Sequence, residues 1–310
     1  SQMWIQGRVY WRRPDVLIFI NGLPMVFVEL KNSIVKVEEA YNDNLKNYLR
    51  DIPNLFAFNQ ICVLSNGLET RLGAFNATYN HFFEWLKVDS EKERPDRQAL
   101  KEAGTVGESS VRYFIDGLLR KDRLVDYIEN FIMFRNQKNK IIAKNHQYFG
   151  VNNLMESAKN RAELQGKLGV FWHTQGSGKS FSMVFFARKV RRKIPGNFTF
   201  LIITDREDLD DQIHKNFVKT EVIGQKEECQ PKNGKQLRDY LQTNKSFIFT
   251  LIHKFRYDKG KKYPVLSTRD DIIVLVDEAH RTQYKNLAEN MRTALPNANY
   301  IAFTGTPLLG

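Results

Sequence analysis

The chain of 310 residues carries only two cysteines, Cys62 and Cys229, in separate halves, with no Cys-x-x-Cys pair and no histidine set beside them. That scarcity argues against a disulfide framework and a structural zinc site, and it makes a reducing cytoplasm the expected compartment. Long apolar runs are lacking as well. Residues 16–20 and 198–203 are among the longest, far short of the roughly 18 needed to cross a bilayer, so no membrane helix is expected. No basic and apolar leader follows Ser1-Gln2-Met3, and no internal repeat or low-complexity tract interrupts the chain. It stops at Gly310 just after an apolar strand-like run, and so reads as an excerpt of a longer protein.

What is present suffices for two cores, since 42% of the residues are hydrophobic. Composition changes over residues 88–110, where Ser90 to Arg97 and then Gly104 and Gly107 form a polar stretch without an apolar period. This predicts a connector that closes a first domain, 1–112, and leads into a second, 113–310. Lys and Arg number 47 against 35 Asp and Glu, but residues 1–112 are balanced at 14 each, so the excess belongs to 113–310, with 33 against 21. Clusters such as Arg188-Lys189, Arg191-Arg192-Lys193 and residues 254–262 suit a polyanion such as nucleic acid, and equally a solvated surface.

The first part reads as α+β. Its β-like runs are 15–20, 25–30 and 60–65, with an amphipathic helical stretch over 37–49. In the second part, β-like runs at 168–172, 198–203, 246–251, 272–276 and 299–303 alternate with helical stretches. That alternation predicts a parallel sheet with helices on both faces.

The strongest motif is His173-Thr174-Gln175-Gly176-Ser177-Gly178-Lys179-Ser180, between a β-like run and a helical stretch. Glycines let backbone N–H groups close around phosphates, Lys179 reaches the terminal phosphates, and Ser180 can ligate Mg2+. The literal pattern has Gly where this chain has His173. An apolar run then ends in Asp277-Glu278-Ala279-His280. On a buried parallel strand these acids arrive at the carboxyl edge, Asp277 to hold the metal and Glu278 to polarise the attacking water. The set resembles the superfamily 2 helicases and translocases, whose third motif Thr304-Gly305-Thr306-Pro307 is similar to. The resemblance implies ATP contacts at Thr174, Gly176, Ser177, Gly178, Lys179 and Ser180, adenine recognition by Gln147 of His146-Gln147-Tyr148, and coupling through Thr304, Gly305 and Thr306. It further implies strand-tracking roles for Asp205 and Arg206, and for His253 and Lys254.

The first domain holds a second constellation: Arg13-Pro14-Asp15, an Asn21-Gly22 turn, then Glu29-Leu30-Lys31. Asn-Gly between β-like runs predicts a hairpin. Glu29 and Lys31 share a face, while Leu30 points away. A plain two-residue turn sets Asp15 opposite Val28; a longer loop or a bulge, for which Pro24 is a plausible cause, sets it opposite Glu29, so an irregular hairpin is expected. Two carboxylates and a lysine can bind Mg2+ and orient water against a phosphodiester, with Lys31 positioning the nucleophile or stabilising phosphate charge. The pattern resembles the PD-(D/E)xK nucleases. Downstream, Asn44 and Tyr48 lie on one helical face and resemble the Gln-x-x-x-Tyr element of such nucleases, with Asn in place of Gln.

Nuclease motif first and motor motifs second is similar to the motor subunit of type I restriction endonucleases. That resemblance implies ATP-driven translocation of double-stranded DNA and Mg2+-dependent cleavage, in a complex with methyltransferase and specificity subunits. S-adenosylmethionine is then expected on the methyltransferase partner, not on this chain. The second RecA-like lobe is expected in the full-length protein, so this chain is expected to bind ATP·Mg2+ and to turn it over poorly; a helix that begins the nuclease fold is expected before Ser1. An alternative stays open, a superfamily 2 repair or defence helicase with a non-catalytic DNA-binding N-terminal domain.

Overall fold

In a computed structural model, residues 3–93, 109–174, 176–257, 261–277 and 285–305 are described, and they form two compact units, Ser1–Phe149 and Gly150–Gly310. No helix among the described residues is long and apolar enough to cross a membrane.

The first unit opens with a short antiparallel pair, β1 (Ile5–Gln6) and β2 (Trp11–Arg12). A mixed sheet follows in the order β3-β4-β5-β6-β7, made of Val16–Ile20, Leu23–Leu30, Ile61–Ser65, Thr70–Gly73 and Phe83–Glu84. Asn21 and Gly22 turn the β3–β4 hairpin with φ of 49° and 80°, the positive values that a tight two-residue turn demands. Beyond it Phe19 pairs with Pro24 but Ile18 with Val26, so Met25 is an extra residue and the hairpin is bulged next to Pro24. The irregular hairpin expected from the sequence is therefore present.

The helical stretch is less regular than its sequence suggests. Helices α1 (Val37–Glu39) and α2 (Lys46–Asp51) flank a π-helical turn over Ala40–Leu45. The buried positions Val37, Ala40, Leu45 and Tyr48 explain it: the step from 40 to 45 is five residues, and an i→i+5 turn returns Leu45 to the face that Ala40 buries. That face packs on Phe27, Phe56, Cys62 and Leu64. Fully burying a side chain such as Phe27 or Leu64 contributes roughly 1.5–3 kcal/mol.

Helices α3 (Val111–Leu118) and α4 (Lys121–Asn130) and the hairpin of β8 (Ile132–Arg135) with β9 (Asn139–Ile142) complete this unit. Gly117 lets α3 approach Trp85, where a Cβ would stand 2.5 Å from the indole nitrogen. A buried chain of hydroxyls joins α3 to the sheet. Ser65 Oγ, Thr70 Oγ1 and Ser110 Oγ follow one another at 2.7 Å, and Ser110 donates to Gly67 O through both N, at 2.8 Å, and Oγ, at 2.9 Å.

Helix α5 (Asn145–Lys159) leads into a wholly parallel sheet of β10 (Lys167–Trp172), β11 (Thr199–Thr204), β12 (Phe247–Leu251), β13 (Ile272–Asp277) and β14 (Asn299–Thr304). Its order is β10-β14-β13-β11-β12. Alternation along the strands separates two cores. Phe200, Phe247 and Phe249 meet Phe186 of α6 (Lys179–Lys193) and Phe217 of α7 (Glu207–Lys219). Leu201, Ile203, Ile248 and Val274 pack with Leu237 and Leu241 of α8 (Gly234–Gln242), with Met291 of α9 (Lys285–Ala294) and with Leu295 just after it. This is the expected α/β organisation, a parallel sheet with helices on both faces.

Candidate functional site

The bulge at Met25 leaves Val16 opposite Val28, a register that sets Asp15 across from Glu29. Asp15 Oδ2 accepts a hydrogen bond from Leu30 N at 2.8 Å, tying that carboxylate to the end of β4. Glu29 is only 3% exposed, and its Oε2 has no hydrogen-bond partner. Lys31 Nζ stands 3.9 Å from Glu29 Oε1. Burial, and then the charge of Asp15, push the Glu29 carboxyl up to about 8, against the weaker pull of Lys31 and the Tyr48 hydroxyl. Tyr48 packs edge-on to Phe27 and donates to Arg13 O at 3.2 Å. Burial raises its phenol above the ordinary range, opposed by a hydrogen bond with Asn44. Asp15, Glu29, Lys31, Asn44 and Tyr48 thus form one cluster, with Asn44 carried on the π-helical turn.

This donor set fits a divalent cation. A buried carboxylate with an unpartnered oxygen, raised by a second carboxylate, lacks the positive charge that such an ion supplies. Among the described residues no three His, Cys, Asp or Glu side chains gather as a metal cage. Two carboxylates leave most of the shell to water and phosphate oxygens, which suits Mg2+.

In the second unit, Trp172 pairs with Thr304 and Phe303 with Asp277, so the tips of β10, β14 and β13 stand side by side at the carboxyl edge. Gly176 and Gly178 adopt φ of 80° and 91°, and Ser177 N donates to Thr174 O at 3.2 Å, shaping the loop after β10. Gly178 caps α6, and Lys179 and Ser180 form its first turn, where backbone dipoles favour an anion. Lys179 Nζ lies 3.5 Å from His173 O, while His173 N donates to Thr304 O at 3.1 Å, joining this loop to the third motif. The loop, the helix start, Ser180 and the half-buried Asp277 fit a nucleotide triphosphate with Mg2+. Gly305 follows β14; Gln175, Glu278, His280, Thr306 and Pro307 lie outside the described residues.

The histidine that replaces the first glycine of the loop has a physical reason that motif reading misses. The His173 ring packs 4.5 Å from Phe171, and at Gly150 a Cβ would meet Phe171 at 2.5 Å and His173 Nε2 at 3.4 Å. A glycine far upstream in the sequence makes the room.

Thr204 pairs with Leu251, so the 204–206 and 252–255 segments follow neighbouring strands at the same edge. Arg206 is held by Asp208 at 3.0 and 2.6 Å, and Asp205 is half-buried. Lys254 Nζ turns inward to Pro231 O at 2.5 Å, and burial with the charges of Arg256 and Lys254 lowers the pKa of His253. Gln147, 4% exposed, accepts from Lys144 N at 2.8 Å in the first turn of α5.

Residues 146–310 match the SWI2/SNF2 ATPase family, and residues 1–81 match the family described as the type I restriction enzyme R protein N terminus. The chain is 35% identical to the type I restriction enzyme HindI endonuclease subunit of Haemophilus influenzae, over 99% of this chain and 31% of that protein. It is 29% identical to the type I restriction enzyme SsaAORF53P endonuclease subunit of Staphylococcus saprophyticus, over 96% of this chain and 30% of that protein. The chain therefore spans about a third of the length of these relatives.

Proposed function

The chain belongs to the SWI2/SNF2 ATPase family, and from that premise we propose that it is part of a type I restriction endonuclease motor subunit. In this reading a nuclease domain in 1–112 is joined to the first RecA-like lobe of a translocase in 113–310. The whole protein pulls double-stranded DNA with ATP and cuts it with Mg2+ in the cytoplasm, held with methyltransferase and specificity subunits and completed by a second RecA-like lobe. The observation that carries the proposal is the cluster of Asp15, Glu29 and Lys31 in the same chain as an ATPase sheet edge.

Asp15 commits Oδ2 to the Leu30 amide and offers Oδ1, and Glu29 offers its unpartnered Oε2. Bound there, Mg2+ supplies positive charge to the scissile phosphate and acidifies a water. Lys31 orients that water or holds charge on the phosphate. Tyr48 is a positioning residue: by gripping Arg13 O it fixes the segment that ends in Asp15, and Asn44 steadies its hydroxyl.

At the other site Thr174, Gly176, Ser177, Gly178 and Lys179 hold the phosphates of ATP, and Ser180 and Asp277 hold its Mg2+. Glu278 polarises the attacking water, Gln147 reads adenine, and Thr304, Gly305 and Thr306 couple hydrolysis to movement. Asp205, Arg206, His253 and Lys254 track the strand, for which Lys254 must leave the Pro231 carbonyl.

The test is ATP-dependent cleavage of circular DNA by the full-length protein assembled with its partners. Asp15→Ala is expected to keep ATPase and lose cutting, and Lys179→Ala to lose both. Wild-type cutting by Asp15→Ala would make the carboxylates structural and turn the reading to a helicase with a DNA-binding appendage.

A further inference from the structure

A groove of about 450 Å³ opens at the end of β4, lined by Leu30, Lys31, Asn66, Arg112 and Ile115 among others. A second hollow of about 310 Å³ shares Ser109 and Arg112 with it and continues along α3 to Tyr113, Asp116 and Val88. We infer that this continuous groove seats one strand of duplex DNA by its phosphodiester backbone, with Arg112 as a phosphate contact. The inference rests on the nuclease reading of Asp15, Glu29 and Lys31, and it adds a residue that no part of the nuclease motif contains.

Three observations converge. First, the groove begins at the chemistry, because Lys31 lines it and stands 3.9 Å from Glu29 Oε1. Second, its walls are built rather than incidental. Lys31 N donates to Ser65 O at 2.7 Å, and the buried hydroxyl chain from Ser65 through Thr70 to Ser110 fixes the turn at Gly67 against the start of α3. Arg112 is thereby held at a set distance from the sheet although it comes from a different element.

Third, the lining has the chemistry of a nucleic-acid strand. The larger hollow has two cations, Lys31 and Arg112, and no acid among its described lining residues, while the smaller carries Arg112 with Asp116. In the same lining Leu30 and Ile115 are 43% and 48% exposed, apolar surfaces suited to sugar faces between phosphates. Arg112 is paired with Asp116 at 3.1 Å, both side chains largely exposed. Such an exposed i,i+4 pair is weak, so a phosphate can displace the carboxylate and take the guanidinium in a bidentate grip.

The experiment measures binding of a fluorescein-labelled DNA duplex to this chain, without Mg2+, across a salt series. Arg112→Ala is expected to weaken binding about threefold to tenfold and to lower the slope of log K against log salt by about 0.9, the loss of one phosphate contact. Arg112→Lys is expected to keep the slope, and Ile115→Lys, which adds a cation to the same wall, to raise it by about 0.9. Arg120→Ala serves as control, since its partners are Asp89 and Asp122. A wild-type slope in Arg112→Ala, or an equal loss in Arg120→Ala, overturns the inference. The cleavage assay separates the two claims: loss of cutting in Asp15→Ala with an unchanged slope in Arg112→Ala sinks the groove and leaves the nuclease standing. Cutting by Asp15→Ala removes the nuclease and with it the groove's role beside a scissile bond.

Discussion

Glu29 is buried beside a second carboxylate with one oxygen unpartnered, and this makes a signed expectation about pH. Without metal its carboxyl titrates near about 8 instead of 4.5, because burial and Asp15 favour the protonated form. Below about pH 4.5 native and unfolded chains both hold that proton and the stabilisation is complete. As pH rises towards 8 the unfolded chain ionises first, so stability falls, by an amount on the order of 5 kcal/mol. Denaturant unfolding in EDTA should show this fall in the wild type and lose it in Glu29→Gln; identical profiles for the two would contradict the burial argument. Mg2+, which binds the ionised carboxylate, should restore stability at neutral pH and release a proton that calorimetry in buffers of differing ionisation enthalpy detects.

The hairpin depends on one inserted residue. Deleting Leu17, on the far side of the bulge from the turn, keeps Ile18 opposite Val26 but brings Val16 opposite Phe27 and Asp15 opposite Val28, which swings Asp15 to the wrong face. Nicking by the full-length assembly should drop at least 100-fold, the order of loss expected when catalytic groups are misplaced, with ATPase retained; undiminished cutting would show that the register is irrelevant. Much at this scale was legible in advance. The central parallel strands, buried on both faces, read as continuous apolar runs, and the edge strand β10 stays apolar although Val170 and Trp172 are exposed, so β10 to β14 stand within a residue or two of their expected positions. Asn21-Gly22 announced its turn, and the requirement that Asp15 face Glu29 announced a bulge. The π-helical turn was not legible, because the buried positions 37, 40, 45 and 48 mix steps of three and five and a search at period 3.6 averages over them. Nor was the partnership of His173 with Gly150, which depends on a contact between elements distant in sequence. Lys254 was legible as a cation but not in its direction, since its bond to Pro231 O depends on the packing of a loop.

Across the whole molecule the proposed chemistry is divided: the carboxylate cluster belongs to the unit Ser1–Phe149 and the glycine-rich loop after β10 to Gly150–Gly310. Substitutions that share no partners act independently. ATP affinity of this chain, followed with a fluorescent analogue, should therefore be unchanged by Asp15→Ala and lost in Lys179→Ala; a change of more than about twofold in Asp15→Ala would reveal coupling between the sites. Along the parallel sheet the motifs follow one another in space as they do not in sequence. The phosphate loop stands at one end of the sheet edge, the 204–206 and 252–255 segments at the other, and Asp277 midway. The bulge at Met25 has a different consequence, one for heredity. Because Asp15 reaches Glu29 only through this one-residue offset, losing the single in-frame codon of Leu17 would separate the two carboxylates while every letter of the motif remained in the gene, so a lineage could silence the proposed nuclease and still look fully armed to anyone comparing genomes.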